Sequence, residues 1–157
     1  MNSAADYTVR ELEARDIPVL QDAFAEWAPA HWNANDATDA PVSARRFRVL
    51  VLYAGGREQL AGIAEYQQIL DEGHLHGIAI VPSLQRRGLG MKLLLAVLAE
   101  LRTQGCTRCL LEVRRSNLAA QALYERAHFT RDGVRKDYYP AQTSGQREDA
   151  LLYSCLL

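Results

Sequence analysis

Apolar and polar residues alternate along several short stretches of the chain, and this period of two predicts β-strands. The predicted strands cover residues 7–12, 47–54, 60–70, 75–81, 108–113, 129–134 and 147–156. Gly55-Gly56 joins the second and third of these strands through a tight turn, which predicts a β-hairpin. Pro82 ends the strand that precedes it, because proline lacks the N–H that a sheet needs.

Helical spacing appears in three other segments. Leu89–Thr103 is apolar over most of its circumference, which predicts a largely buried helix. A second helix is expected over residues 118–127, and Asp16 is expected to cap a third that runs from residue 17 towards residue 27. Residues 28–44 are rich in Pro, Asn and Asp and predict a loop or a short broken helix. The order of elements contains a β-α-β unit and indicates a mixed α/β fold.

The length and composition are those of an ordinary globular protein. The chain has 157 residues, of which 48% are hydrophobic and 24% charged, so a single domain over residues 1–157 is expected. Its apolar runs fall short of the ~20 residues that span a bilayer, and its first ten residues do not resemble a secretory signal. Three cysteines without an export signal indicate a reduced, cytoplasmic protein.

The net charge of −1 argues against binding of nucleic acid through bulk positive charge. That charge is unevenly distributed. Residues 86–136 contain eleven basic and four acidic residues, a net charge of +7, which leaves −8 for the rest of the chain. Such a segment suits a polyanionic small molecule such as a phosphorylated cofactor, or is a solvated basic face without a ligand.

A glycine turn, PSLQRRGLGM at residues 82–91, separates the strand at 75–81 from the helix that begins at Leu89. Gly88 and Gly90 allow the backbone to approach a ligand closely, and the free N–H groups of a helix start favour a pyrophosphate. The turn lacks the Gly-Lys pair of a P-loop, and Leu93 stands where the dinucleotide fingerprint has its third glycine. From the pattern alone, a simple tight turn is as acceptable as a pyrophosphate site.

Three motifs carry a resemblance to a known family. Residues 78–82 (IAIVP) and 85–90 (QRRGLG) resemble the acetyl-CoA motif, Q/R-x-x-G-x-G/A, of the GNAT superfamily of N-acetyltransferases. Residues 111–129 resemble the L-E-V-R-x-S-N…A…A-L-Y-E…F segment of its RimI-like group, and YYP at 138–140 with EDA at 148–150 resembles that group's ending. The resemblance spans residues 78–152, roughly half of the chain.

The resemblance implies an α/β GNAT fold, in which about four helices flank a mostly antiparallel central sheet of about seven strands with a splayed central pair. It also implies transfer of an acetyl group from acetyl-CoA to the α-amine of a protein, typically a small-subunit ribosomal protein, by direct attack in a ternary complex. No metal, membrane or direct nucleic-acid partner is implied.

The family pattern also implies which residues bind the co-substrate. The backbone of the strand would pair with the pantetheine arm, and the amides of the glycine turn would hold the pyrophosphate. These residues are Ile78, Ala79 and Ile80 on the strand and Arg86, Arg87, Gly88, Leu89, Gly90 and Met91 in the turn. Asn117 would hydrogen-bond the cofactor arm, although its position before a helix is equally that of a helix cap.

Two residues are expected to carry out the proton transfers. Glu112 interrupts a strand whose other residues predict burial. Its carboxylate must therefore have a hydrogen-bond or ion-pair partner, or have a function. By resemblance it is the general base, and the alternative is a glutamate that reaches solvent near a strand end. Tyr124 lies between Ala120 and Ala127 on a helix, and by resemblance it is the general acid that protonates the leaving thiolate. An ordinary core tyrosine is the alternative.

Other residues leave the interpretation open. Tyr138 and Tyr139 would contact the acceptor peptide, or are plain β-sheet aromatics. His128 stands where the group commonly has a glycine that ends the helix in a left-handed turn. Residues 27–45 lack the Phe-Pro-Trp-Ser-type segment of better-known members. The sequence therefore supports the identity of the co-substrate more strongly than that of the acceptor. His76 is a candidate auxiliary base.

Cys106 and Cys109 have C-x-x-C spacing, but no matching ligand pair for zinc is apparent. The three cysteines are not expected to act as nucleophiles. Two other functions stay open: a GNAT enzyme for a small amine such as a polyamine, an amino acid or a drug, and a non-catalytic acyl-CoA-binding module. A binding module needs neither Glu112 nor Tyr124.

Overall fold

The computed structural model describes residues 6–20, 45–141 and 145–157 of the chain. The strands are Asp6–Glu11 (β1), Arg45–Ala54 (β2), Arg57–Ile69 (β3), Glu72–Ile80 (β4), Arg108–Arg114 (β5), Thr130–Tyr139 (β6) and Glu148–Leu156 (β7). The helices are Leu89–Thr103 (α1) and Leu118–Arg126 (α2), and single 3-10 turns cover Ala14–Asp16 and Pro82–Leu84. In these ranges, none of the helices combines the length and hydrophobicity needed to cross a bilayer.

The predicted order of the elements is confirmed among the described residues, with one correction, and β2, β3, β4 and β6 are each longer than predicted. Residues 17–20 are helical, but the helix continues directly from the 3-10 turn. Asp16 is therefore inside the turn and does not cap the helix; its carboxylate accepts a hydrogen bond from the amide of Glu13 at 2.8 Å. β6 continues to Tyr139, well beyond the predicted end at residue 134. The rest of the third predicted helix and the predicted loop, residues 21–44, lie outside the described residues.

The strands form a seven-stranded sheet in the order β1-β2-β3-β4-β5-β7-β6. β1 with β2, β2 with β3, β5 with β7 and β6 with β7 pair antiparallel. β4 and β5 are the parallel pair, in which Glu72–Leu75 pairs with Arg108–Leu111. The predicted hairpin between β2 and β3 is confirmed, because Ala54 pairs with Arg57 and both intervening glycines have positive φ.

By its internal packing the chain divides into two compact units, and β3, β4 and α1 each contribute to both. The first unit consists of Met1–Gln67 and Gly77–Val97, and the second of Gln68–His76 and Leu98–Leu157. The expectation of a single domain over residues 1–157 stays a prediction. The buried core cluster of the first unit contains Leu20, Val49, Val51 and Ile63.

An ion pair fixes the beginning of the helical residues 17–20 in the first unit. The guanidinium of Arg10 on β1 binds both carboxylate oxygens of Asp16, at 2.7 and 2.9 Å, and also reaches Glu58 on β3 at 3.0 Å. This contact with Arg10 lowers the pKa of the Asp16 carboxyl below its usual value. The side chain of Asp16 is almost fully buried, so the pair satisfies a charge that would otherwise be costly to bury.

The second unit is built on β5. Cys109, Leu111 and Val113 alternate along β5 and are buried, while the residues between them are half-buried on the opposite face. β7 pairs with β5 over its whole length, from Arg108 opposite Leu156 to Arg114 opposite Ala150. β6 then pairs with the other edge of β7. This arrangement places Glu112 on the less buried face of a central strand.

Candidate active site

The predicted pyrophosphate turn lies in the first unit, between β4 and α1. The side-chain amide of Gln85 donates to the carbonyl oxygen of Ile80 at 3.0 Å, which ties the turn to the end of β4. Arg87 donates to the carbonyl oxygen of Ser83 at 3.3 Å, so a basic side chain also folds back onto the turn. These two contacts give the Gln and the second Arg of the QRRGLG motif a structural role.

The backbone of the turn contains left-handed residues of the kind found in anion-binding loops. Arg86 has φ of 61° and Gly88 has φ of 78°, and such left-handed residues direct successive amides to one side of the chain. The amide of Lys92 makes the first hydrogen bond of α1, to the carbonyl oxygen of Gly88 at 3.1 Å. The amides at the start of α1 therefore point out of the helix, where its dipole favours negative charge.

Gly62 on β3 makes room for the end of β4 and was missed by the sequence analysis. A Cβ at this position would lie 2.5 Å from Cδ1 of Ile80 and 2.8 Å from the carbonyl oxygen of Ala79. Only glycine allows the two strands to approach so closely. The signal was present in the sequence as an isolated glycine inside a strand, which often marks a close backbone approach.

Glu112 is half-buried on β5 in the second unit, with 30% of its side chain exposed. Its Oε1 lies 2.6 Å from Nη1 of Arg135 on β6, so the carboxylate is held by a charge-assisted contact. The guanidinium of Arg135 also lies over the ring of Tyr138, 5.3 Å from its centroid. Glu112 is predicted from the sequence but Arg135 is not, because this partner lies on a strand distant in sequence.

Tyr124 is buried on α2 and packs in an aromatic cluster of the second unit. Its ring centroid lies 5.8 Å from that of Phe129 and 6.5 Å from that of Tyr153. Burial, with smaller effects of Tyr139 and Cys109, raises the pKa of the Tyr124 hydroxyl. The hydroxyl therefore keeps its proton at neutral pH, as a general acid must before it donates.

His128 ends α2 in the left-handed conformation that the sequence analysis expected of a glycine. Its φ is 65°. Its amide donates to the carbonyl oxygen of Glu125 at 3.1 Å, and the amide of Phe129 donates to the carbonyl oxygen of Tyr124 at 3.0 Å. These bonds, with the contact between the Phe129 and Tyr124 rings, form a Schellman motif around a histidine. The motif keeps the geometry that fixes Tyr124, at a conformational cost.

Tyr138 and Tyr139 lie at the end of β6, with their rings edge to face at a centroid distance of 5.1 Å. The guanidinium of Arg114 lies 4.4 Å from the centroid of the Tyr139 ring. Burial, followed by the charge of Glu112, raises the pKa of Tyr139 to about 12. Tyr139 therefore lies within the field of the candidate base and stays protonated.

Asn117 shows the cap geometry that the sequence left open as its alternative. It is the N-cap of α2, and its Oδ1 accepts a hydrogen bond from the amide of Ala120 at 3.1 Å. The amide nitrogen of this side chain is not needed for the cap. A contact from that nitrogen to the cofactor arm stays a prediction.

The cysteines are buried thiols, and Cys106, Cys109 and Cys155 form no disulfide. Burial, with the neighbouring Cys155 as a smaller cause, raises the pKa of the Cys109 thiol to about 12. The reactive thiolate is therefore disfavoured at this position. Among residues 6–20, 45–141 and 145–157, no group of three or more His, Cys, Asp or Glu side chains is arranged to hold a metal ion.

The comparison with known proteins agrees with these features. The model of the family described as "Acetyltransferase (GNAT) family" matches residues 7–129. The chain belongs to this family. The predicted fold class and N-acetyltransferase activity are thereby confirmed.

Individual GNAT relatives cover most of the chain. The chain is 40% identical over 131 residues to the "[Ribosomal protein bS18]-alanine N-acetyltransferase" of Salmonella typhimurium (strain LT2), covering 79% of this chain and 87% of the relative. It is 37% identical over 145 residues to the protein of the same name from Escherichia coli (strain K12), covering 92% and 94%. The crystal structure of the ribosomal-protein-S18-alanine N-acetyltransferase from Escherichia coli superposes with a TM-score of 0.80 at 33% identity, covering 96% of this chain and 94% of that one.

The left-handed histidine of this GNAT chain generates a stability prediction. His128→Gly should stabilise the protein by about 1 kcal/mol, because glycine adopts positive φ without the cost that a side chain carries. We expect the melting temperature to rise by about 2–4 °C. His128→Ala is the matched control: it removes the imidazole and keeps the Cβ, so it should not raise the melting temperature. Equal stabilisation by both variants would contradict this explanation.

Proposed function

We propose that the chain acetylates the N-terminal α-amine of a protein with acetyl-CoA as the donor, and that the acceptor is a small-subunit ribosomal protein of the bS18 type. The observation that carries the proposal is the 37% identity, over 92% of the chain, to the Escherichia coli K12 protein named for acetylation of the alanine of that ribosomal protein. A ribosomal acceptor would place the enzyme in the cytoplasm.

In this proposal the end of β4, the glycine turn and Asn117 bind the donor. The backbone of Ile78, Ala79 and Ile80 pairs with the pantetheine arm, at the end of β4 where Gly62 permits a close strand approach. The amides from Arg86 to Met91 hold the pyrophosphate, in agreement with the left-handed residues of the turn and the free amides of the α1 start. The amide nitrogen of Asn117 contacts the cofactor arm.

In the second unit, Glu112 acts as the general base. The acceptor amine attacks the thioester carbonyl carbon, and the proton that this nitrogen loses goes to the Glu112 carboxylate, directly or through water. The support is that Glu112 lies on the less buried face of β5 and is fixed by Arg135 at 2.6 Å. Backbone amides on the strand near Ile80 polarise the carbonyl oxygen.

Tyr124 acts as the general acid at the other end of the reaction. When the tetrahedral intermediate collapses, the carbon–sulfur bond breaks and the coenzyme A sulfur receives the Tyr124 proton. The support is that Tyr124 is buried and its raised pKa keeps it protonated. Direct transfer from acetyl-CoA to the amine needs no acetyl-enzyme, in agreement with the buried, weakly acidic thiol of Cys109.

An α-amine suits a carboxylate base better than a lysine does. With a pKa of ~7.8, roughly a quarter to a third of an α-amine is already neutral near pH 7.4, against ~0.1% of a lysine side chain with a pKa of ~10.4. A single glutamate is a weak base and is sufficient only when much of the acceptor is already neutral. A small amine is the less favoured alternative, since the named relatives act on a protein α-amine.

Release of free thiol from acetyl-CoA tests the proposed function directly. With a peptide that carries the N-terminal sequence of a bS18 protein, we expect a peptide-dependent rate that disappears when the α-amine is blocked. The same rate with the blocked peptide would contradict an α-amine acceptor. Thiol release only with members of a panel of small amines, including spermidine, would establish the alternative function.

Glu112→Gln tests the base. We expect the acetyl-transfer rate near neutral pH to fall by about 100-fold, since general base catalysis contributes roughly 10²–10⁴-fold. The pH–rate profile should shift towards alkaline pH, because the variant lacks the base and reacts only with amines that are already neutral. Glu100→Gln is the matched control, because Glu100 on α1 is also a half-buried glutamate, with Oε1 accepting from Gln104 at 2.6 Å, and this variant should keep the wild-type profile. An unchanged profile in Glu112→Gln would remove Glu112 from the mechanism.

Tyr124→Phe tests the acid. We expect kcat to fall by about 100-fold while the KM for acetyl-CoA changes little, because the lost proton transfer acts on the transition state and not on binding. Tyr153→Phe is the matched control, since Tyr153 packs in the same aromatic cluster and its hydroxyl donates to Glu125 at 3.0 Å. A loss of acetyl-CoA affinity alone in Tyr124→Phe would make it a packing residue.

A further inference from the structure

A bulge in β6 immediately precedes Tyr139 and determines how the two tyrosines are presented. Arg135 pairs with Ala150 of β7, and the next pair is Tyr139 with Glu148. Residues 136–138 therefore lie opposite the single residue Asp149. Bulges of this kind redirect side chains and frequently lie next to active sites.

The bulge is stabilised by side chains of β7 and the segment before it. Asp137, at the centre of the bulge, has φ of 51°, and its amide donates to Oδ1 of Asp149 at 3.0 Å. Arg147 donates to the carbonyl oxygens of Asp137 and Tyr138, both at 2.6 Å. Polar backbone groups that the β6–β7 ladder leaves without a strand partner are thus satisfied by two charged side chains.

Asp149 also connects the bulge to the end of β5. Its Oδ2 accepts hydrogen bonds from Nε and Nη2 of Arg115 at 3.2 and 2.8 Å. The amide of Arg115 donates to the backbone carbonyl of Asp149 at 3.1 Å. One carboxylate therefore bridges the bulge before the tyrosines and the turn that leads into α2. These contacts lower the pKa of the Asp149 carboxyl, chiefly through the Asp137 amide and then Arg115.

The neighbouring carboxylate of Glu148 repeats this connection one residue earlier. It accepts from the amide of Ser116 at 2.5 Å and from Nη1 of Arg114 at 3.1 Å. The Arg114 guanidinium lies against the ring of Tyr139. The adjacent Glu and Asp of the EDA ending thus fix the same two segments, residues 114–116 and 137–139.

We propose that Asp149 and Glu148 are positioning residues that hold the β6 bulge and thereby set Tyr138 and Tyr139 in place for the acceptor amine. The inference rests on the proposed function and on the expectation from the sequence that these tyrosines contact the acceptor peptide. Without the bulge, the ladder after the Arg135–Ala150 pair would bring Asp137, and not Tyr139, opposite Glu148. Tyr138 and Tyr139 would then lie two positions further along β7, away from the side chains that now hold them. We expect the acceptor to lose its contacts, while the glycine turn at residues 82–91 keeps the hydrogen bonds of Gln85 and Arg87 that hold it.

Asp149→Ala tests the proposal by steady-state kinetics with the N-terminal peptide and acetyl-CoA. We expect the KM for the peptide to rise by about tenfold or more, the effect of losing one hydrogen bond to a charged group, and the KM for acetyl-CoA to stay within about twofold. Asp149→Asn keeps an oxygen for the Asp137 amide and should show a smaller defect. Asp132→Asn, an exposed site on the same strand β6, is the matched control and should behave as wild type.

A double-mutant cycle with Tyr139→Ala separates positioning from general destabilisation. If Asp149 acts through Tyr139, Asp149→Ala should add little to the peptide KM of Tyr139→Ala. Independent, multiplying effects of the two substitutions would overturn the proposal, as would an equal rise in both KM values of Asp149→Ala.

Hydrogen exchange of the Asp137 amide gives a readout that does not depend on activity. We expect this amide to exchange faster in Asp149→Ala than in wild type, and unchanged exchange would overturn the proposal. A wild-type enzyme that acetylates only a small amine would refute the proposed protein acceptor. The same comparison of KM values, made with that amine, would then decide whether Asp149 positions the acceptor site.

Discussion

The second unit depends on the pairing of β5, which is buried on one face and half-buried on the other. It joins β4 in parallel at Glu72–Leu75 and β7 antiparallel along its whole length. This pairing fixes the direction of every side chain on the strand, so the buried alternation of its apolar residues places Glu112 on the opposite face. It also fixes the start of α2, because the turn after β5 ends at the cap residue Asn117. The candidate base and acid therefore lie on consecutive elements of one unit.

The sequence was sufficient for the order of the elements and for most of their bounds. α1 begins and ends where its apolar pattern predicted, because Leu89–Thr103 is apolar over most of its circumference and the helical spacing is therefore clear. The sequence could not predict that β6 continues to Tyr139, because a bulge interrupts the alternation on which a strand prediction depends. The correction for Asp16 is one of position: Glu13 is the N-cap of the 3-10 turn, and Asp16 is its third residue, whose carboxylate accepts from the Glu13 amide and binds Arg10.

The residues of the candidate site likewise differ in whether the sequence predicts them. Glu112, Tyr124 and the glycine turn were predicted from local motifs, whereas the partner of Glu112 and the residue that holds the β6 bulge lie on other strands of the sheet. Arg135 contacts Glu112 from a strand more than twenty residues away, and Asp149 connects the end of β5 to the bulge of β6. A single sequence does not contain such pairings, although the adjacent Glu and Asp of the EDA ending marked the position where they converge. The histidine after α2 shows that a backbone conformation can persist when its preferred residue is absent.

The most direct test of the central claim is to locate the transferred acetyl group. We would incubate the enzyme with acetyl-CoA and a peptide that carries both a free α-amine and an internal lysine, and then sequence the product by tandem mass spectrometry. The proposed mechanism predicts a single acetyl group on the α-nitrogen, because only that amine is substantially neutral beside a carboxylate base. Acetylation of the lysine in preference to the α-amine, or formation of an acetylated enzyme that transfers its acetyl group to the peptide, would contradict it.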